Sequence, residues 1–416
     1  MRVGKARNDG TNRVYVSERS GRITEWSCTD GAWAKTVVVA AVSNLALIAI
    51  GDVHNDGTNR LYYAEFNKWG DLHEVTWTGA GWSRTTIDQD RSSLNIFIGA
   101  GRNDGRQRLY VGGATTSSPT NPYVGLWEYT WSAGTWQKLQ LHSTGMEGRG
   151  AVGDLRNDGV MRVLANASGN NPSFFYDYTW GGSSYAAFPI DVAVYSALGP
   201  DPTDVGCARN DGLTRVVANT GQGKREYTWN GSAWQNLTFD PLSRRGNMRV
   251  LRLKSDGLYR IYSSHAGTAP KPPLTEFSWS SAASQYVSNT VVDAVTGATA
   301  MFDAGNGRND GVARLYAPNY AGGEMLEITS ADPYVHASPD SSLLLTGLSV
   351  GPSAVVPSIS NLTARCEYRV QRASDPSAKG PLIGAFTASG TSTNWLDLPT
   401  GDPAFYRVIG QPQQDP

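Results

Sequence analysis

The chain is poor in charge and in the residues that build metal and redox sites. Of its 416 residues only 18% are charged, and the formal net charge is −1. Nothing in that balance favours a nucleic acid or an anionic membrane as partner. Three cysteines, Cys28, Cys207 and Cys366, stand far apart and fit no metal-ligand spacing. They allow at most one disulfide, and none is expected. Histidine occurs only 5 times, and His-Glu-x-x-His is missing. No apolar run is long enough to cross a bilayer; the longest, residues 37–50, is interrupted by Ser43 and Asn44. Helical periodicity is missing too. The glycine-rich turns lead into strands, which excludes a phosphate-binding loop at a helix start. No nucleophile elbow appears.

What the chain has is glycine, 46 in all, and 13 tryptophans. That mixture suits many short strands joined by tight turns. The sequence Asn-Asp-Gly, with arginine three residues after the glycine, recurs along the chain. It stands at Asn8-Asp9-Gly10 with Arg13, Asn55-Asp56-Gly57 with Arg60, and Asn103-Asp104-Gly105 with Arg108. It returns at Asn157-Asp158-Gly159 with Arg162, Asn210-Asp211-Gly212 with Arg215, and Asn309-Asp310-Gly311 with Arg314. One copy is degenerate, Ser255-Asp256-Gly257 with Arg260. Seven copies, spaced by roughly fifty residues, mean a propeller or a solenoid, and strand-rich units favour the propeller. The expected fold is all-β: a seven-bladed β-propeller of four-stranded blades over residues 1–335. A linker and a small C-terminal β module follow over 336–416.

In the second unit the strands read as 46–53, 60–66 and 71–77, with a fourth starting at Trp82. Asn230-Gly231 marks a hairpin between third and fourth strands in the fifth unit. Third strands end in Trp26, Trp77, Trp131, Trp180, Trp229 and Trp279. Fourth strands open with Trp33, Trp82, Trp136, Tyr185, Trp234 and Tyr286. These aromatics are read as wedges between blades; Trp69, Trp127 and Trp395 fall outside the pattern. Every third strand also carries an acid: Glu25, Glu74, Glu128, Asp177, Glu226, Glu276 and Glu327. Residues repeated in every unit are read as ion pairs and turn formers, not as seven sites.

The turns resemble the FG-GAP/VCBS propeller repeat and its Gly-Asp-x-Asn-x-Asp-Gly calcium loop. Gly51-Asp52-Val53-His54-Asn55-Asp56-Gly57 and Gly153-Asp154-Leu155-Arg156-Asn157-Asp158-Gly159 carry the likeness best. A hard cation needs several oxygen ligands. Here a basic residue stands inside the loop, and arginine takes the final acidic position. A fixed guanidinium can neutralise the turn aspartate, so no metal is expected there.

Function is sought where the units disagree. Five residues after each repeat arginine stand Glu18, Glu65, Gly113, Ala167, Thr220, His265 and Asn319. In a closed ring His265, Asn319, Glu18 and Glu65 form one arc over blades six, seven, one and two. Tyr320 lies beside Asn319, and the loop entering blade six carries Arg244 and Arg245. Histidine, tyrosine and paired arginines suit β-elimination on a uronic acid. Arginine neutralises the carboxylate, while His265 and Tyr320 take and return protons. The propeller resembles, in architecture, the seven-bladed polysaccharide lyases of the ulvan and rhamnose–glucuronate type. That resemblance implies a secreted lyase needing no cofactor. The bland alternative for His265 is an ordinary rim histidine.

A second candidate site groups Trp69, His73, Tyr123 and Trp127 beside the long loop 115–124; exposed aromatics stack on sugar faces. The alternative is a loop packed on itself. His54, in place of arginine at the blade-two turn, reads as drift within the repeat, and His142 and His336 have no context. Two other functions stay open: a non-catalytic glycan-binding propeller, and a glycoside hydrolase using Glu18 and Glu65. A scaffold for protein contacts is a further reading. A lectin should repeat its pocket in most blades, whereas these rim residues differ. The expected partner is a polysaccharide or oligosaccharide, with no nucleic acid and no membrane, bound by a monomer. The chain opens on a repeat without a signal peptide, yet its Asn, Gly, Ser, Thr and Trp content leans toward a secreted protein. In the tail, residues 368–372 and 404–408 resemble part of a fibronectin type III sandwich.

Overall fold

The computed structural model describes residues 1–18, 20–40, 46–65, 70–91, 93–113, 125–143, 150–167, 173–194, 203–220, 223–241, 247–264, 274–292, 302–319 and 324–330. Beyond these it describes six tail strands between 344 and 411. The first group forms seven antiparallel sheets, the blades of a β-propeller; six have four strands and the seventh has three described strands. No helix occurs among the described residues. By Cα proximity the chain divides into Met1–Leu253 with Leu258–Ala331 and Pro416, and Lys254–Gly257 with Asp332–Asp415. The tail strands form two three-stranded antiparallel sheets.

Blade two shows how sequence becomes blade. Its strands are Ala46–Gly51, Arg60–Glu65, Gly70–Trp77 and Trp82–Arg91. Each strand pairs with the next, from Gly51 opposite Arg60 to Trp77 opposite Trp82. The first strand is innermost, and inner strands of successive blades pack on each other. Blade one closes on blade seven: the Val3 amide donates to Asp303 Oδ2 at 2.9 Å. The second and third strands are mostly buried, while the fourth is mostly exposed. Between blades lie apolar clusters such as Tyr15, Ile23, Val39, Leu61, Tyr63 and Val75.

The repeated Asn-Asp-Gly now has a use for each residue. The asparagines sit at φ 56–60°, a left-handed conformation that asparagine tolerates. That backbone turns each side chain onto the next blade. Asn8 Oδ1 accepts from the Asn59 amide at 2.7 Å, and its Nδ2 donates to the Asn59 carbonyl at 2.9 Å. The same two-bond clasp joins Asn55 to Gln107, Asn103 to Met161, Asn157 to Thr214 and Asn210 to Tyr259. Asn309 clasps Asn12 across the ring closure. The partner is always main chain, so its residue type is free to vary.

The aspartate fixes the turn and holds the arginine. Arg108 grips Asp104 with both terminal nitrogens, at 2.7 and 2.5 Å, and equivalent bidentate pairs recur at Asp9, Asp56, Asp158, Asp211 and Asp310. The arginine bonds hold Asp9, Asp104 and Asp158 at about 2, against a smaller opposing push from burial. A lowered carboxyl pKa stabilises the fold fully above its unfolded value, about 4. That contribution disappears as pH falls through about 2. These aspartates are 41–45% exposed, so each pair adds little, but several act together. Melting temperature should therefore fall steeply between about pH 4 and pH 2. A flat thermal-melt profile across that window would contradict the pairing.

Candidate functional site

The third-strand acids are wholly occupied by the scaffold. Glu128 Oε1 accepts from Arg102 at 2.5 Å, and its Oε2 accepts from Tyr110 at 3.1 Å and from Tyr185 of the next blade at 2.6 Å. Arg108 Nε lies 3.6 Å away. Glu25 is held likewise by Arg7, Arg13 and Tyr15, and Glu226 by Arg209, Arg215 and Tyr286. Asp177 binds Arg156, and Glu327 binds Arg308, Arg314 and Trp33. The arginine just before each asparagine also stacks on the next blade. Arg7 lies 3.9 Å from the Trp77 ring, Arg102 3.9 Å from Trp180, and Arg209 3.8 Å from Trp279. The repeated motif thus joins sheet to turn and blade to blade.

His54 does both jobs of the arginine it replaces. Its Nε2 lies 2.7 Å from Glu74, and its ring stacks on Trp131 at 4.1 Å and 5°. Burial lowers its pKa, against the pull of Glu74. Trp127 also has a packing role: it lies against the cluster of Ala64, Leu72, Ile96, Val111 and Tyr129, with Lys138 Nζ 5.8 Å from its ring.

At the rim, the ends of the second strands differ between blades. Glu18 is tied to its own blade: Lys35 Nζ lies 2.5 Å away, and Thr24 and Ser20 donate at 3.0 and 3.1 Å. Burial raises its pKa, but these three donors outweigh burial and hold it below the ordinary value. Glu65 and His73, which the sequence placed in separate candidate sites, come together. His73 Nε2 lies 3.6 Å from Glu65 Oε1, and its Nδ1 is 3.2 Å from Thr86 Oγ1. The imidazole is 4% exposed, and burial lowers its pKa against the attraction of Glu65. Tyr63 tilts over the imidazole at 4.6 Å, and Arg84 donates to the Tyr63 hydroxyl at 3.4 Å. His73 therefore lies beside Glu65 inside the blade wall. Trp69, Tyr123, Arg244, Arg245, His265 and Tyr320 lie outside the described residues, as does the side chain of Asn319.

One feature escaped the sequence reading. Two residues before the end of each inner strand stand Arg2, Ala49, Phe97, Ala151, Asp204, Arg249 and Asp303, all set by the strand register. Blades two to four are apolar there, whereas blades five, six, seven and one alternate in charge. Arg249 lies 3.9 Å from Asp204 and 3.1 Å from Asp303, and Arg2 lies 4.0 Å from Asp303. Burial raises the Asp204 pKa despite Arg249, and burial lowers that of Arg2 despite Asp303. A blade-by-blade comparison of the inner strands carries this signal.

No family model matches the chain, and no curated protein matches it. Solved structures do match. The BBS1N chain of a complex with ARL6DN aligns with a TM-score of 0.51 at 10% identity, covering 80% of this chain and 92% of its own. The likeness is one of fold. The periplasmic gluconolactonase PpgL of Pseudomonas aeruginosa aligns at 0.46 and 14% identity, over 77% of this chain and 97% of its own. Aleuria aurantia lectin, in complex with α-methyl-L-fucoside, aligns at 0.43 and 16% identity, over 70% and 94%. None of the three is named a polysaccharide lyase.

Proposed function

We propose that this propeller is a secreted, carbohydrate-active protein that cleaves a uronic-acid polysaccharide by β-elimination, at one asymmetric site on the rim of blades six, seven, one and two. The observation carrying this reading is that the constant residues of the repeat are consumed by scaffold bonds. Ligand chemistry is then left to residues that differ between blades. On the chosen arc those are His265, Tyr320, Asn319 and the arginine pair 244–245, flanked by Glu18 and the Glu65–His73 pair. Arg244 and Arg245 neutralise the uronate carboxylate, which acidifies the adjacent C–H bond. One of His265 and Tyr320 removes that proton. The carbon–oxygen bond to the leaving sugar breaks as the ring double bond forms, and the other residue protonates the departing oxygen. The tail serves as an accessory module.

Hydrolysis by Glu18 and Glu65 is less well supported. A general acid needs a raised pKa, and Lys35, Thr24 and Ser20 keep that of Glu18 low. Incubation with a panel of uronic-acid polysaccharides tests the proposal. Ultraviolet absorbance from an unsaturated uronate end should grow with at least one of them. Reducing ends without that absorbance would establish hydrolysis instead. Binding without either product would establish a lectin.

A further inference from the structure

Six residues after the aromatic that opens each described fourth strand stand Val39, Asp88, His142, Asp191, Asp240 and Val292. Strand register holds all six at one level, each opposite the third-strand residue two before the acid. Where the residue is aspartate, a cation meets it. Asp88 accepts from Tyr129 at 2.8 Å and from Lys138 at 3.3 Å, both of blade three. Asp191 accepts from Tyr227 at 2.9 Å and from Arg225 at 3.0 Å, both of blade five. Asp240 accepts from Lys224 of its own blade at 2.8 Å.

His142 takes the place of aspartate at the joint of blades three and four. There blade four carries Tyr176 at the position of Arg225, two residues before the tyrosine. It carries Ala187 at the position of Lys138, opposite the tyrosine. The imidazole lies against two phenol rings, 5.3 Å from that of Tyr176 and 6.0 Å from that of Tyr178, which it crosses at 75°. Tyr178 is the counterpart of Tyr129 and Tyr227. It is fully buried, and its hydroxyl has no hydrogen-bond partner among the described residues. A neutral imidazole suits such a joint, whereas an aspartate would be a buried charge without a cation.

We propose that His142 makes the joint of blades three and four acid-sensitive: neutral, it packs on Tyr176 and Tyr178; protonated, it puts an uncompensated charge between the blades and loosens them. The attraction of phenol faces for a cation is small beside the cost of burying one. The titratable groups facing the ring among the described residues are those two phenols, both on the third strand of blade four. Its strand partner in blade three is Leu126. Burial lowers the His142 pKa, with no charge of the described residues acting on it. His54 and His73 differ, since each faces a glutamate. A histidine with a lowered pKa stabilises the fold fully above its ordinary value, about 6.5, and that contribution is lost as pH falls below it. The joint therefore weakens in a window well above that of the turn aspartates. Its response is independent of the activity proposed above.

Urea unfolding of the full chain at pH 7.5 and pH 5.5 compares the wild type with His142→Gln, whose amide takes no proton. On acidification the folding constant of the wild type should fall by at least about threefold more than that of the variant. His54 and His73 are present in both proteins, so the difference belongs to His142. By NMR the His142 ring resonance, assigned by its loss in the variant, should titrate below the ordinary value of about 6.5. At pH 7.5 His142→Asp should lower the folding constant by at least about tenfold, and adding Ala187→Lys should recover most of that loss, because it supplies the lysine that Asp88 has. If His142→Asp alone does not fold, a folded double variant is the same result. If His142→Gln does not fold, the Asp and Lys pair of substitutions decides. An equal response to acid in wild type and His142→Gln, a ring titrating at or above about 6.5, or no recovery by Ala187→Lys would overturn the proposal.

Discussion

Glu128→Gln should destabilise the propeller by about 3–5 kcal/mol, because it removes one partner from a buried ionic network. The carboxylate is 0% exposed and faces Arg102 at 2.5 Å and Arg108 at 3.6 Å. It also accepts from Thr130, Tyr110 and Tyr185, the last from the neighbouring blade. An amide can accept on one side only and turns its own donors toward guanidinium. Asp104→Asn is the matched contrast. That side chain is 41% exposed, so its loss should cost about 1 kcal/mol or less. Urea unfolding of the two variants checks the difference. A loss below about 1 kcal/mol for Glu128→Gln would mean that the network adds little to the joint between blades.

His265→Ala and Tyr320→Phe should each lower the rate of elimination by at least about a hundredfold, the usual contribution of a positioned acid or base. Neither residue belongs to the repeating network, so the melting temperature should hold. Tyr320→Phe keeps the ring and removes only the hydroxyl that carries the proton. Product formation by both variants at the wild-type rate would move the site to another part of the rim.

The ring could be read from the sequence because the same residues do the same work in each blade. Asn8, Asn55, Asn103, Asn157, Asn210 and Asn309 are spaced by the blade, since each clasps the next one. In blade two the expected strands 60–66 and 71–77 are Arg60–Glu65 and Gly70–Trp77. The first strand stops at Gly51, two residues before the expected end, because Val53 already belongs to the turn. His54 as drift within the repeat also fits, for its imidazole pairs and stacks as the arginines do.

The site was less legible. A rim position gives the end of a strand but not the direction of its side chain. Glu65 and His73 were assigned to different sites although adjacent strands bring them within 3.6 Å. Glu18 looked available because Lys35, its partner, lies a whole strand away in sequence. Trp127, a candidate sugar platform, is partly buried against the cluster that includes Ala64, Leu72 and Ile96. The alternating charges of Asp204, Arg249, Asp303 and Arg2 were hidden because each is single within its own blade. Only the closed ring sets them side by side.

Under the proposed function the repeated residues carry the fold and the differing residues carry the chemistry. Melting temperature and unsaturated-product formation, followed together in Glu128→Gln and His265→Ala, separate the two. Glu128→Gln should melt well below the wild type and, held below its melting temperature, form product at the wild-type rate. His265→Ala should melt with the wild type and form almost none. The opposite result, a constant residue needed for product at unchanged stability or a rim residue needed only for folding, would contradict the claim.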